Sequence, residues 1–133
     1  MKIRVYYEDT DAGGIVYHTN YIKYCERARS EMVFASGAPE FSDAGYFVVS
    51  KLVANFRASA RLGDLLEVRT RTLKLARASV LLAQSVYKIG SLKSDCEPEL
   101  LFDAEVTLAF LSGGKPSKIS SEYAAIFGGL ESE

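Results

Sequence analysis

Apolar residues along this chain repeat first at helical and then at strand spacing. Tyr21, Cys25, Ala28, Met32 and Ala35 follow steps of four and three, while Lys23, Glu26, Arg27 and Ser30 take the opposite side. This predicts a helix over Tyr21–Ala35 with one face built for burial. Thr19 or Asn20 is suited to cap its start, Arg27 and Glu31 stand at i,i+4 spacing, and Gly37 with Pro39 supplies the stop. From Tyr46 the period falls to two. Leu52, Ala54 and Phe56 alternate with Lys51, Asn55 and Arg57, and a turn follows at Arg61–Asp64. Leu65–Leu75 and Ser79–Ile89 read as strands broken by Ala76–Ala78, and Gly90–Pro98 reads as a polar loop. Leu101–Leu111 is the cleanest strand, with Phe102, Ala104, Val106, Leu108 and Phe110 on one side, ended by Gly113–Pro116. A short strand at Ile3–Tyr7 and a terminal helix over Ser120–Phe127 complete the pattern. One long helix with about four long antiparallel strands and a short first one predicts an α+β layer architecture in which the sheet curls around the helix.

The 133 residues fit a single domain, 1–133, able to bury roughly two thirds of its unfolded surface. Sixteen basic and seventeen acidic residues leave a net charge of −1, so no global field draws nucleic acid, and an anionic ligand must be met by local Lys and Arg. Cys25 and Cys96 form no metal or redox spacing, and Cys25 falls on the helix's apolar side, which suits a reduced, cytoplasmic protein. No apolar run approaches the roughly 20 residues of a membrane span, and Met1–Arg4 opens no signal-peptide core, so export is not expected. One helix covers one face of such a sheet, and apolar residues remain for edge strands, so a homo-oligomer is expected.

Candidate chemistry concentrates between Val5 and Tyr21. The carboxylates of Glu8, Asp9 and Asp11, the pair Gly13-Gly14 and the chain's single histidine, His18, lie just ahead of the helix start. Backbone amides there are unsatisfied donors with partial positive charge, so they can polarise a bound carbonyl while a nearby carboxylate attacks it or activates water. The plain structural reading of the same residues is an Asx-turn at Asp11, with Glu8 and Asp9 as turn formers or solvated charges.

The run Tyr7-Glu8-Asp9-Thr10-Asp11-Ala12-Gly13-Gly14-Ile15-Val16-Tyr17-His18-Thr19-Asn20-Tyr21, continued by Tyr24-Cys25-Glu26-Arg27-Ala28-Arg29-Ser30-Glu31, resembles the hotdog-fold acyl-CoA thioesterases. It most resembles their Tol-Pal-associated branch and is similar to 4-hydroxybenzoyl-CoA thioesterase. A weaker likeness continues through Phe56–Asp64 to the last long strand and Lys115-Pro116. The resemblance implies a hotdog fold, with one long helix wrapped by a five-stranded antiparallel sheet, assembled as a homodimer or homotetramer with interfacial active sites. It implies hydrolysis of an acyl-CoA thioester to a carboxylic acid and CoA, with CoA part of the substrate and no cofactor or metal.

By that resemblance Asp11 is the catalytic carboxylate, as nucleophile or general base. His18 is the second catalytic position, through its backbone amide or its ring. Arg77 matches a basic cluster that meets the nucleotide, although Ala76 and Ala78 depart from it. Arg61, Tyr7 and Asn20 complete the substrate-binding candidates. A thiolate leaving group, with a conjugate acid near pKa 8.5 by analogy with cysteine, makes a strong general acid dispensable. With one histidine and no Gly-x-Ser-x-Gly elbow, a serine hydrolase has little support. Two other classes stay open. One is a divalent-metal site of Glu8, Asp9, Asp11 and His18. The other is a non-catalytic acyl-binding or scaffolding module, associated peripherally with the cytoplasmic side of the envelope.

Overall fold

The computed structural model describes residues 1–38 and 45–130. Pro39, expected to help end the helix, lies outside them. The elements are β1 (Lys2–Arg4), a 3-10 turn (Tyr7–Asp9), α1 (His18–Ser36), β2 (Tyr46–Phe56), β3 (Leu65–Leu75), β4 (Ser79–Gly90), β5 (Asp95–Ser112), β6 (Lys115–Pro116) and α2 (Ser121–Gly128). The strands pair in the order β1-β3-β4-β5-β2, with the two-residue β6 added on β5. This is the expected α+β chain with an antiparallel sheet and a helix packed on it. In β1, Lys2, Ile3 and Arg4 face Glu67, Leu66 and Leu65 of β3.

Several boundaries differ from the pattern. β1 stops at Arg4 because the backbone of Val5 turns to the Gly63–Asp64 corner, donating to Asp64 O and accepting from Gly63 N at 2.9 Å each. Tyr7 then enters the 3-10 turn rather than a strand. α1 opens at His18, so Thr19 and Asn20 stand inside its first turn instead of capping it. Polar residues carry no apolar period, which hid that turn from the sequence. The buried stripe of α1 comprises Tyr21, Tyr24, Cys25, Ala28 and Val33, whereas Ala35 is exposed. At its end Gly37 takes φ +77°, a left-handed stop that favours glycine. The polar loop shrinks to Ser91–Ser94, since β5 already begins at Asp95. Residues 95–99 are all exposed, so both faces of that stretch are wet and no alternation arises.

The chain forms two compact units, to which α1, β2, β3, β4 and β5 each contribute residues: Met1–Ala28, Ala54–Arg69 and Gln84–Ala104 in the first, Arg29–Val53, Thr70–Ala83 and Glu105–Glu133 in the second. In the first, Tyr21 stacks on Phe102 at 5.5 Å and 11°, and the fully buried Gln84 donates from Nε2 to Cys25 O at 3.0 Å, pinning strand to helix. In the second, Phe47 packs edge-on against Phe110, Tyr123 and Phe127. There Thr72 Oγ1 donates to Phe127 O at 2.6 Å, tying β3 to the end of α2.

Candidate active site

The first unit holds the acidic and glycine segment as a closed loop. Its ladder runs Tyr17 N to Asp9 O at 2.9 Å, then the Thr10–Val16 bridge, then Asp11 N to Ile15 O at 2.9 Å. Gly14 N returns to Asp11 O at 3.0 Å, a tight closure for which Gly14 adopts φ +81°. The loop is pinned sideways as well, because Val16 N donates to Ala60 O at 2.9 Å and Ile15 pairs with Arg61.

Asp11 is exposed, and its Oδ1 accepts from Gly13 N at 2.8 Å. The Asx-turn anticipated as its structural role is thus formed. Only one carboxylate oxygen is used in it; among the described residues Oδ2 has no partner, so the side chain is oriented and still open. Two residues of extended chain, about 7 Å of rise, separate Asp11 from the Asp9–Tyr17 pair at the loop's base. The helix begins immediately after that pair.

His18 is the first residue of α1 and is exposed. Asn20 N donates to Tyr17 O at 2.9 Å, whereas the amides of His18 and Thr19 find no acceptor among the described residues. They are the unsatisfied donors that a helix start leaves. The His18 ring lies 4.5 Å from the Tyr17 ring and 6.0 Å, edge-on, from Phe56. Tyr17 and Phe56 are themselves about half exposed, 46% and 52%. This aromatic surround was missed from sequence, although the alternation of Leu52, Ala54 and Phe56 marked one face of β2.

The remaining candidates divide. Tyr7 opens the 3-10 turn, almost fully exposed, and its carbonyl accepts from Thr10 N and Oγ1. Asn20 turns its Nδ2 to Asp9 O at 2.8 Å, which commits that donor to the loop. Arg61 adjoins the loop through Ile15, with an exposed side chain that makes no ion pair among the described residues. Its amide donates to Asp64 Oδ2 at 2.9 Å in the expected Arg61–Asp64 turn. Arg77 belongs to the second unit, exposed in the β3–β4 turn, where its carbonyl accepts from Ile119 N at 2.8 Å. Cys25 is buried and Cys96 exposed, and among the described residues neither forms a disulfide. Among the described residues no three His, Cys, Asp or Glu side chains converge as a metal site, and no helix is long and apolar enough to cross a membrane.

Asp9 is half-buried and acts as a turn former: Oδ2 accepts from Tyr6 N at 2.8 Å. Its charge reaches Tyr24 on α1. Burial first, then the Asp9 carboxylate, pushes the Tyr24 phenol well above its ordinary range, and among the described residues the hydroxyl makes no hydrogen bond of normal geometry.

The thioesterase superfamily model matches residues 13–93, a span that begins just past Asp11 and includes His18, Asn20, Arg61 and Arg77. The chain is 40% identical over 121 residues to the acyl-CoA thioesterase YbgC of Helicobacter pylori, covering 90% of this chain and 91% of that one. It is similar to the solved structure of a probable thioesterase from Bartonella henselae, with 31% identity, TM-score 0.72, and coverage of 90% of this chain and 96% of that chain. A thioesterase from Thermus thermophilus, solved with coenzyme A and Zn, matches with 26% identity and TM-score 0.81 over 100% of this chain and 93% of that chain.

Proposed function

The chain belongs to the thioesterase superfamily, and from that premise we propose how it hydrolyses an acyl-CoA thioester. Asp11 is the catalytic carboxylate. The thioester oxygen lies against the His18 amide, where the unsatisfied donors of the α1 start meet negative charge as it develops. Asp11 Oδ2 then attacks the carbonyl carbon to form a mixed anhydride that water cleaves, or takes a proton from water that attacks instead. Either route breaks the C–S bond, releases CoA as thiolate and leaves a carboxylic acid. The observation that carries this reading is the oriented, half-used carboxylate of Asp11 on a loop whose base leads straight into free helix amides.

Arg61 beside the loop and Arg77 in the β3–β4 turn are the proposed cations for the nucleotide phosphates, with Tyr7 at the substrate surface. Asn20 contributes through the loop it holds. Coenzyme A enters as part of the substrate, and no resident cofactor is needed. The hotdog architecture is that of the solved thioesterases the chain matches. We place this single domain, 1–133, in the cytoplasm, in the Tol-Pal-associated branch, as a homodimer or homotetramer. Oligomerisation is supported by β2, an eleven-residue edge strand on which Val49, Val53 and Phe56 are about half exposed.

The test is a hydrolysis screen over short, long and aromatic acyl-CoA thioesters with wild type and Asp11→Asn. Asparagine keeps an oxygen for Gly13 N, so the loop survives. Turnover should fall on the order of 10²- to 10⁴-fold with substrate still bound. An Asp11→Asn chain that turns over like wild type would remove the carboxylate from the mechanism.

A further inference from the structure

We propose that Asp9 is the positioning residue for Asp11, its carboxylate and its carbonyl together fixing both stems of the loop to the first turn of α1. This rests on the reading of Asp11 as the catalytic carboxylate. The hydrogen bonds at Asp9 reach three separate segments. Oδ2 holds Tyr6 N at 2.8 Å on the incoming side. The carbonyl takes Tyr17 N at 2.9 Å on the outgoing side and Asn20 Nδ2 at 2.8 Å from inside the helix. Asp9 is half-buried among the exposed Tyr7, Glu8 and Asp11, as a group with a fixed structural job would be. The buried Tyr24 phenol answers to its charge from the second turn of α1.

The carboxylate and the carbonyl are coupled through one backbone. Locking Oδ2 onto Tyr6 N closes the 3-10 turn and thereby aims the carbonyl at Tyr17 and Asn20. Without that lock the carbonyl can rotate, the ladder loses its base, and Asp11, two residues on, shifts relative to the His18 amide. Displacing a reacting group by about 1 Å can cost on the order of 100-fold in rate. Binding of CoA does not depend on that distance. The signature is therefore a fall in kcat with KM little changed, and rescue by a residue that keeps the acceptor oxygen.

Full-length Asp9→Ala, Asp9→Asn and Asn20→Ala are compared with wild type and Asp11→Asn in steady-state hydrolysis of one acyl-CoA. Asp9→Ala should lower kcat by on the order of 10- to 100-fold with KM within about threefold. Asp9→Asn can still accept from Tyr6 N and should recover most of the loss, and Asn20→Ala should show a smaller fall of the same kind. Wild-type kcat in Asp9→Ala overturns the proposal, as does an equal loss in the Ala and Asn variants. Should Asp9→Ala fail to fold, Asn20→Ala decides, and wild-type kcat there overturns it. An inactive Asp11→Asn beside an active Asp9→Ala removes only the positioning role. An active Asp11→Asn removes the catalytic reading itself, whatever Asp9 does.

Discussion

Replacing Tyr21 by Phe isolates one hydroxyl in the first unit and so offers a clean measure of what secures the segment behind the loop. Ala60 N donates to Tyr21 Oη at 3.0 Å, and the two residues are 0% and 3% exposed. The ring survives the substitution, so its stacking on Phe102 is retained, and Ala60 O still receives Val16 N. What changes is that a buried amide loses its acceptor and cannot reach water. That costs about 1–3 kcal/mol. For 133 residues the unfolding entropy is about 0.28 kcal/mol per kelvin, so the melting temperature should drop by about 4–11 °C. The assay is thermal and urea unfolding followed by circular dichroism. Tyr6→Phe, at a residue that is 63% exposed, serves as the control expected to change nothing. An unchanged urea slope with a lowered midpoint assigns the loss to the native state. A Tyr21→Phe melting temperature equal to that of the control would show that the Ala60 amide does not depend on this hydroxyl, and the argument would fail.

Gly14→Ala should lose about 1 kcal/mol, because φ +81° penalises a Cβ although nothing lies within 4 Å of one, and its kcat should fall with it. Thr72→Val removes the shorter of two donors to the Phe127 carbonyl, leaving it only Leu130 N at 3.2 Å, and should speed amide exchange across α2, most of all at its C-terminal turn; unchanged protection would contradict the pinning role. The hydrogen bond from Arg57 holds the Asp103 carboxyl below its ordinary range, and that from Arg69 does the same for Glu67. Folded values below the unfolded ones mean a contribution present above about pH 4 and lost as acid carries the pH through the folded values, so melting temperature should decline below that point, less so in high salt or in Asp103→Asn. Tyr21 and Tyr24 are raised, mainly by burial, which reverses the sign: their contribution is whole below about pH 10 and erodes above it.

Much of the secondary structure was legible in the spacing alone. The alternation of Phe102, Ala104, Val106, Leu108 and Phe110 located the core of β5, and all five are buried. Its first residues escaped notice because both their faces are exposed. Likewise the stripe through Tyr21, Cys25 and Ala28 found the buried face of α1, while the polar first turn was hidden. In the site, the short-range geometry was the accessible part: an Asp two residues before Gly13 predicted the Asx-turn that Oδ1 makes. The partners of Asp9 were not accessible, since Tyr17 and Asn20 reach it only when the loop closes.

By itself, then, the order of residues determined where this chain is helical, where it is extended and where its carboxylates meet a glycine turn, because those depend on neighbours a few positions apart. Tertiary structure alone decided the strand order β1-β3-β4-β5-β2, the seating of Val16 and Ile15 on Ala60 and Arg61, and the pin from Gln84 to Cys25. Such choices among distant partners turn on packing and hydrogen bonds completed only when the whole core is assembled, and no local period encodes them.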